Sequence, residues 1–263
     1  MPITEFQHEV LALLKQHRNP NSYVAGGIAI NRTPGSIRHS KDIDFFHDAD
    51  EAVSQNAIAD LELLKKERFR INLLINQPSF YRATISRGKD SVTLEWVRDS
   101  AFRFFPVLED ELLGYRLHDI DLATNKCLAL VNRNEVRDII DLIGLQSTIS
   151  IAGACWAACG KDPGFTPDLM IDFMRRNSII RPEHLLGEVL TQEISPRELK
   201  TQWLKLLEEA ELDMQGLRAA DLGCLYLDKT GAVIKNPKAD KVKDAERHFG
   251  SVGGSWPRLV ETQ

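Results

Sequence analysis

Two aspartates stand two apart in the run Asp42-Ile43-Asp44-Phe45-Phe46, fifteen residues after the pair Gly26-Gly27. Residues i and i+2 of a β-strand point to one face, so this pattern sends both carboxylates to one side and Ile43 and Phe45 to the other. Neighbouring anions repel, and a strand gains nothing from them unless a cation lies between. Magnesium, a hard cation that takes carboxylate oxygens and leaves room for phosphate oxygens, suits such a pair. A metal-holding strand soon after a glycine turn points to chemistry on a nucleoside triphosphate.

The glycines fit that reading. Without side chains, Gly26 and Gly27 let the backbone approach a ligand, and their amides with the helix start that follows form a site for phosphate. A third carboxylate is expected where metals clamp an in-line displacement at phosphorus, with general base as its usual task. Glu95 is the candidate, because Val92, Leu94 and Trp96 alternate against it in a strand; Asp99, just past that strand, is the substitute. Further on, Lys126, Arg133 and Arg137 would fall within roughly 40° of one another on an unbroken helix, a stripe suited to triphosphate oxygens. The competing reading is a solvated face with Arg137 and Asp141 as an i,i+4 pair.

The rest of the chain supplies the frame. Phe6, Val10, Leu13 and Leu14 recur at helical spacing, and Tyr23 to Ala25 reads as a strand ending at the glycine pair. A short helix over Gly27 to Asn31, a loop with Pro34 and Gly35, a strand over Lys41 to His47 and a helix over Ala49 to Glu67 follow. Three strands come next, Arg70 to Asn76, Phe80 to Arg87 and Ser91 to Val97. Asp119 to Gln146 is helical, in two pieces parted near Asn132-Arg133-Asn134. Gly160 to Pro167 marks a boundary, and beyond it Pro196 to Glu211 carries Trp203, Leu204, Leu207 and Ala210 on one stripe. A small hairpin is expected over Leu225 to Val233, then a polar, glycine-rich tail. The order implies an α+β fold, a mixed β-sheet with flanking helices over residues 1–150, followed by a helical C-terminal part over 151–263.

Composition narrows the options. A net charge of −5 argues against a protein that coats nucleic acid generally, without excluding a local basic groove. No apolar run approaches a membrane span, and the first sixteen residues alternate charge with apolar residues, unlike a signal peptide. The four cysteines sit among apolar neighbours, which suits buried free thiols in a reducing cytoplasm. Phe102, Phe104 and Phe105 read as core. His39 and His47 flank the acidic strand. The basic clusters Lys65, Lys66, Arg68, Arg70 and Arg175, Arg176 read as solvated surface or as a contact for RNA.

Taken together, the segments GGIAINRT, RHSKDIDFF and DLATNKCLALVNRNEVRDIIDL resemble the nucleotidyltransferase superfamily that includes DNA polymerase β. More narrowly, they resemble the AbiEii-type (type IV toxin) nucleotidyltransferase-like proteins of bacteria, over roughly residues 20–145. The resemblance implies Gly26 and Gly27 as the phosphate turn and Asp42 and Asp44 as metal ligands, with Glu95 as the third acid of a two-magnesium site. It also implies that Arg38 and Ser40, in the second segment, and Lys126, Arg133, Arg137 and Asp138, in the third, bind nucleotide, with Lys126 among the catalytic set. Lys126 matches the lysine of the family's helical motif and Asp138 the acid of its Arg-Asp pair. The turn departs from the Gly-Ser of many active transferases, so a serine hydroxyl that would touch phosphate is missing. The implied activity moves an NMP from an NTP to a hydroxyl on RNA (tRNA) or protein, as a cytoplasmic toxin with an antitoxin partner and no membrane attachment. Two alternatives stand beside it, a degenerate nucleotide-binding module and a transferase acting on a small molecule such as an aminoglycoside.

Overall fold

The computed structural model describes residues 3–257. The elements begin with α1 (Glu5–Leu14), β1 (Ser22–Ala25), α2 (Gly26–Ile30), β2 (Arg38–His39), β3 (Asp42–His47) and α3 (Asp50–Lys66). Strands β4 (Arg70–Gln77), β5 (Phe80–Arg87), β6 (Asp90–Arg98), β7 (Phe102–Arg103), β8 (Leu108–Asp110) and β9 (Gly114–Arg116) follow. Next come helices α4 (Asp119–Asn132), α5 (Val136–Gly144), α6 (Ile151–Lys161), α7 (Pro167–Arg176) and α8 (Pro182–Leu186). The chain continues through β10 (Val189–Leu190), α9 (Pro196–Met214), β11 (Cys224–Leu227), β12 (Glu246–Phe249) and β13 (Ser251–Val252). The expected α+β class holds.

Two compact units divide these elements. The first runs to Ala101 and includes Pro106–His118; the second holds Phe102–Phe105 and the chain from Asp119 onward. This division differs from the expected boundary at 150, because α4 packs on α6 and α7. Its Cys127 sulfur lies 3.9 Å from that of Cys155 on α6. The turn between α6 and α7 thus falls inside one unit.

The first unit is a seven-stranded mixed sheet in the order β4-β5-β6-β3-β1-β9-β8. The pairs β3/β6 and β1/β9 are parallel and the remainder antiparallel. The β8-β9 hairpin was not legible in the sequence: its strands are three residues each and rich in acid and glycine. Helix α1 is closed by a capping box between Thr4 and Gln7. Helix α3 carries Asp50 and Glu51 in its first turn and Lys65 and Lys66 in its last, in accord with its dipole. Both helices supply apolar residues (Val10, Leu11, Leu14, Val53, Ala57, Leu64) to a core shared with Ile43, Phe45, Leu94, Trp96, Ala83 and Ile85.

One buried acid organises this core. Asp60 of α3 accepts bonds from Arg18 at 2.6 and 2.8 Å and from the Trp96 indole at 2.7 Å, with His17 at 2.6 Å. Arg18 also lies over the Phe45 ring, 4.2 Å from its centroid. His47 belongs to the same face, fully buried, with its Nε2 3.1 Å from the Ser22 hydroxyl. Burial, then the charge of Arg18, push its pKa down to about 4, so the ring is neutral at physiological pH.

In the second unit α6 is buried along its whole length from Ile151 to Cys159, as expected of a helix that is apolar all round. Leu199, Trp203, Leu207, Ala210 and Met214 form the buried stripe of α9. All four cysteines are buried and unbridged. The expected hairpin is corrected in part. Leu227 does bridge to Val233, but the main partner of β11 is β12, from the segment read as a polar tail. Strand β13 of that segment pairs with β7. Residues 258–263 of the expected tail lie outside the described residues. No single described helix is long and apolar enough to cross a membrane.

The excursion of Phe102–Phe105 into the second unit has a clear cause. Both oxygens of the buried Asp121 accept amides, from Phe104 at 2.7 Å and Phe105 at 3.1 Å. His248 Nε2 lies 2.8 Å from the Phe104 carbonyl oxygen, and its ring stacks on Phe105. Burial pushes the Asp121 pKa up to about 6, against the opposing pull of the two amides. A folded-state pKa above the unfolded value means the folded state holds the extra proton between about pH 4 and 6, so stability declines as pH rises through that window. Asp121→Asn is expected to remove this decline, worth roughly 2–3 kcal/mol. Denaturant titrations of both proteins from pH 4 to 7 check it: parallel pH profiles would contradict the assignment.

Candidate active site

The antiparallel register of β1 and β3 places Ala25 opposite Asp44, so the chain leaving β1 turns directly beside the acidic strand. Gly26 occupies the left-handed region at φ +62°, where side chains are disfavoured. A Cβ there would land on the Asp44 carboxylate, far inside van der Waals distance. A Cβ on Gly27 would lie 2.7 Å from both Arg38 Nη2 and the Ser40 hydroxyl. The diglycine turn thus sits among Asp44, Arg38 and Ser40, and only bare backbone fits. The Ser40 hydroxyl donates to the Asp42 carbonyl at 3.0 Å, and the Gln7 amide to the Ser40 carbonyl at 2.7 Å, which fixes the loop entering β3. Arg38 and Ser40 are buried.

On β3 burial alternates: Ile43, Phe45 and His47 are buried, and Asp42, Asp44 and Phe46 are partly open. The carboxylates therefore leave the face opposite the helical core. Along this face the parallel partner strand sets Thr93 beside Asp42 and Glu95 beside Asp44. The sequence reading thus brings Gly26, Gly27, Arg38, Ser40, Asp42 and Asp44 together, with Glu95 one strand away on the same side.

Glu95 itself is engaged elsewhere. Its Oε1 accepts Arg82 Nη2 at 2.6 Å and Nε at 2.8 Å, Arg82 being its partner on β5. Among the described residues no three His, Cys, Asp or Glu side chains converge as a metal cage. Two hard carboxylates beside an open backbone turn still fit magnesium, which commonly takes one or two protein carboxylates and fills its sphere with substrate phosphates and water. Asp42 and Asp44 are the residues that would hold it.

The basic stripe expected in the third segment does not form. Helix α4 ends at Asn132 and α5 begins at Val136, so Lys126, Arg133 and Arg137 do not share one helix. Lys126 is buried, with its Nζ 2.7 Å from Asp138 Oδ1 and 2.9 Å from Asp141 Oδ2. Arg133 closes on Asp138 at 2.9 and 3.1 Å. Burial pulls the Lys126 pKa down, but Asp141 and Asp138 more than reverse it, so it is raised. Burial likewise pushes Asp138 up, and Lys126 and Arg133 overcome it, so the acid is held below its usual range. Asp141 therefore answers Lys126, a pairing that the sequence reading did not offer. These charges join α4 to α5 in the second unit. His47, on the core face of β3, is turned away from the acids. Residues that sequence reasoning missed are Arg82, visible only as an alternating strand position, and Thr93 and Thr84, which continue the row from Asp42.

Lys126→Met would leave Asp141 buried without its ammonium. It is expected to cost roughly 3–5 kcal/mol, measured by denaturant unfolding. A loss under about 1 kcal/mol would mean that the ammonium is not needed to hold the helix pair.

No protein-family model and no curated protein matches the sequence. Solved structures do. A protein described as a candidate nucleotidyltransferase from H. pylori matches with TM-score 0.52 at 19% identity, over 82% of this chain and 99% of its own. The nucleotidyltransferase toxin MenT4 from Mycobacterium tuberculosis H37Rv matches with TM-score 0.57 at 18% identity, over 82% of this chain and 83% of its own. At such identities the likeness is one of architecture, and on it this chain has the nucleotidyltransferase fold.

Proposed function

We propose that this protein is a magnesium-dependent nucleotidyltransferase that moves an NMP from an NTP to a hydroxyl acceptor. One observation carries the reading: the Asp44 carboxylate is pressed against the bare backbone of Gly26, while Arg38 and Ser40 crowd Gly27. The amides of the turn and the Arg38 guanidinium would hold the phosphates, and Asp42 and Asp44 the metal. Bound there, magnesium neutralises charge on the triphosphate as the transition state spreads it. The acceptor hydroxyl would attack the α-phosphorus in line, its proton passing to a carboxylate (Glu95 in this reading), with pyrophosphate as leaving group.

MenT4 is a nucleotidyltransferase toxin, which supports reading this chain as a toxin too; the AbiEii type is inferred from the sequence resemblance. Its acceptor would then be tRNA or protein, its place the cytoplasm, and an antitoxin its partner. Two magnesium ions would need Glu95 as the third acid. The pairing of Glu95 with Arg82 favours one competitor, a nucleotide-binding module without turnover. Nucleotide binding that needs no metal and survives loss of Asp44, measured by calorimetry, would favour that module.

The direct test incubates the protein with each labelled NTP and Mg2+ against tRNA and total protein. Transfer by the wild type and none by Asp42→Ala/Asp44→Ala is expected; the same null result from both on every acceptor overturns the enzymatic reading. Gly26→Ala, which must move Asp44, is expected to lower the transfer rate by about 100-fold. Wild-type rates in that variant would show that the turn has slack.

A further inference from the structure

Glu95 stands at a branch point. It is the register partner of Asp44 on β3 and of Arg82 on β5, and paired residues of neighbouring strands share a face. With strands about 4.8 Å apart, a change of rotamer takes the Glu95 carboxylate from one neighbour toward the other. It is turned to Arg82, whose Nε and Nη2 both fall on Oε1. Arg82 is steadied by the Phe80 ring, 5.2 Å from its centroid, yet its side chain is 40% exposed. An ion pair this open is exchangeable. The two glycines lie on the β1 side of Asp44, and Arg82 lies two strands away on the other side, where Thr93 and Thr84 line the open face.

We propose that Arg82 is a latch on the third carboxylate. In the substrate-free protein it holds Glu95 away from Asp44, so metal is bound by Asp42 and Asp44 alone. When another anion takes the guanidinium, Glu95 turns to Asp44 and the three-acid set is complete. The position of Arg82, remote from the glycine turn, assigns that anion to the acceptor side. Arg82 is thus a positioning residue, acting through Glu95. The inference rests on the nucleotidyltransferase reading above and goes beyond it.

Calorimetric titration with Mn2+, without nucleotide, tests the latch independently of turnover. Arg82→Ala is expected to bind Mn2+ about tenfold more tightly than the wild type, because Glu95 is released. Glu95→Gln and the double variant are expected to match the wild type, and Arg82→Lys to stay near it. Sulfate in place of chloride at equal ionic strength should narrow the gap between wild type and Arg82→Ala. Arg82→Ala binding no tighter than the wild type, Glu95→Gln binding several-fold weaker, or a gap indifferent to sulfate would each overturn the latch. Unchanged Mn2+ affinity in Asp42→Ala/Asp44→Ala would instead overturn the metal site itself, which separates the two failures.

Discussion

The antiparallel pairing of Ser22–Ala25 with Asp42–His47 fixes how close the diglycine turn comes to the acidic strand. Ala25 opposite Asp44 leaves no room between the next residue's backbone and the carboxylate, so Gly26 is demanded twice, by its positive φ and by the missing Cβ. A one-residue slip in this register would turn Asp42 and Asp44 into the apolar core and bring Ile43 out. Asp60, Arg18 and Trp96 oppose such a slip from beneath, because their bonds join α3 to β6, the strand that pairs with β3. The buried polar cluster on one face of the sheet therefore sets the geometry of the open face.

Much of this was legible because strand alternation is a local signal. Asp42, Ile43, Asp44 and Phe45 announce two faces within four residues, and Gly26-Gly27 announces a turn that tolerates no side chain. What the sequence concealed depends on pairing. Glu95 was found as an alternating position, but nothing local says that β5 sets Arg82 beside it. The stripe of Lys126, Arg133 and Arg137 failed because residues 133–135 interrupt the helix, and helical spacing has meaning only on a continuous helix. Likewise β12 looked like tail, since Glu246–Phe249 gains its strand character from Cys224–Leu227 across a loop of eighteen residues. The second compact unit takes in α4 because that helix packs on α6, a pairing that no window of sequence contains.

Charge is handled in two different ways in this chain, and the contrast separates scaffold from site. Lys126, Asp138 and Asp141 neutralise one another below the surface, where both carboxylates are fully buried, and the exposed Arg133 closes on Asp138 from outside. Removing the buried ammonium strands two carboxylates at a cost of several kcal/mol, so the Lys126 pairs resist exchange with a ligand. Arg18 and Asp60 behave alike. The open face of the sheet has a different character. Its acids lie near an exposed guanidinium and a row of threonines, where water can replace a lost partner.

That difference bears on where a substrate's charge can be accommodated. A triphosphate entering the α4-α5 cluster would have to displace two carboxylates from a buried ammonium, exchanging one anion for another with no gain in solvation. At Gly26 and Gly27 it would meet backbone donors and the Arg38 side chain, with a metal offsetting its repulsion from Asp44. The physical case for the diglycine turn as the phosphate site thus rests on what the competing cation has already bound. Lys126 is committed to α4 and α5, and in the proposed function the anion chemistry would fall to β1, α2 and β3.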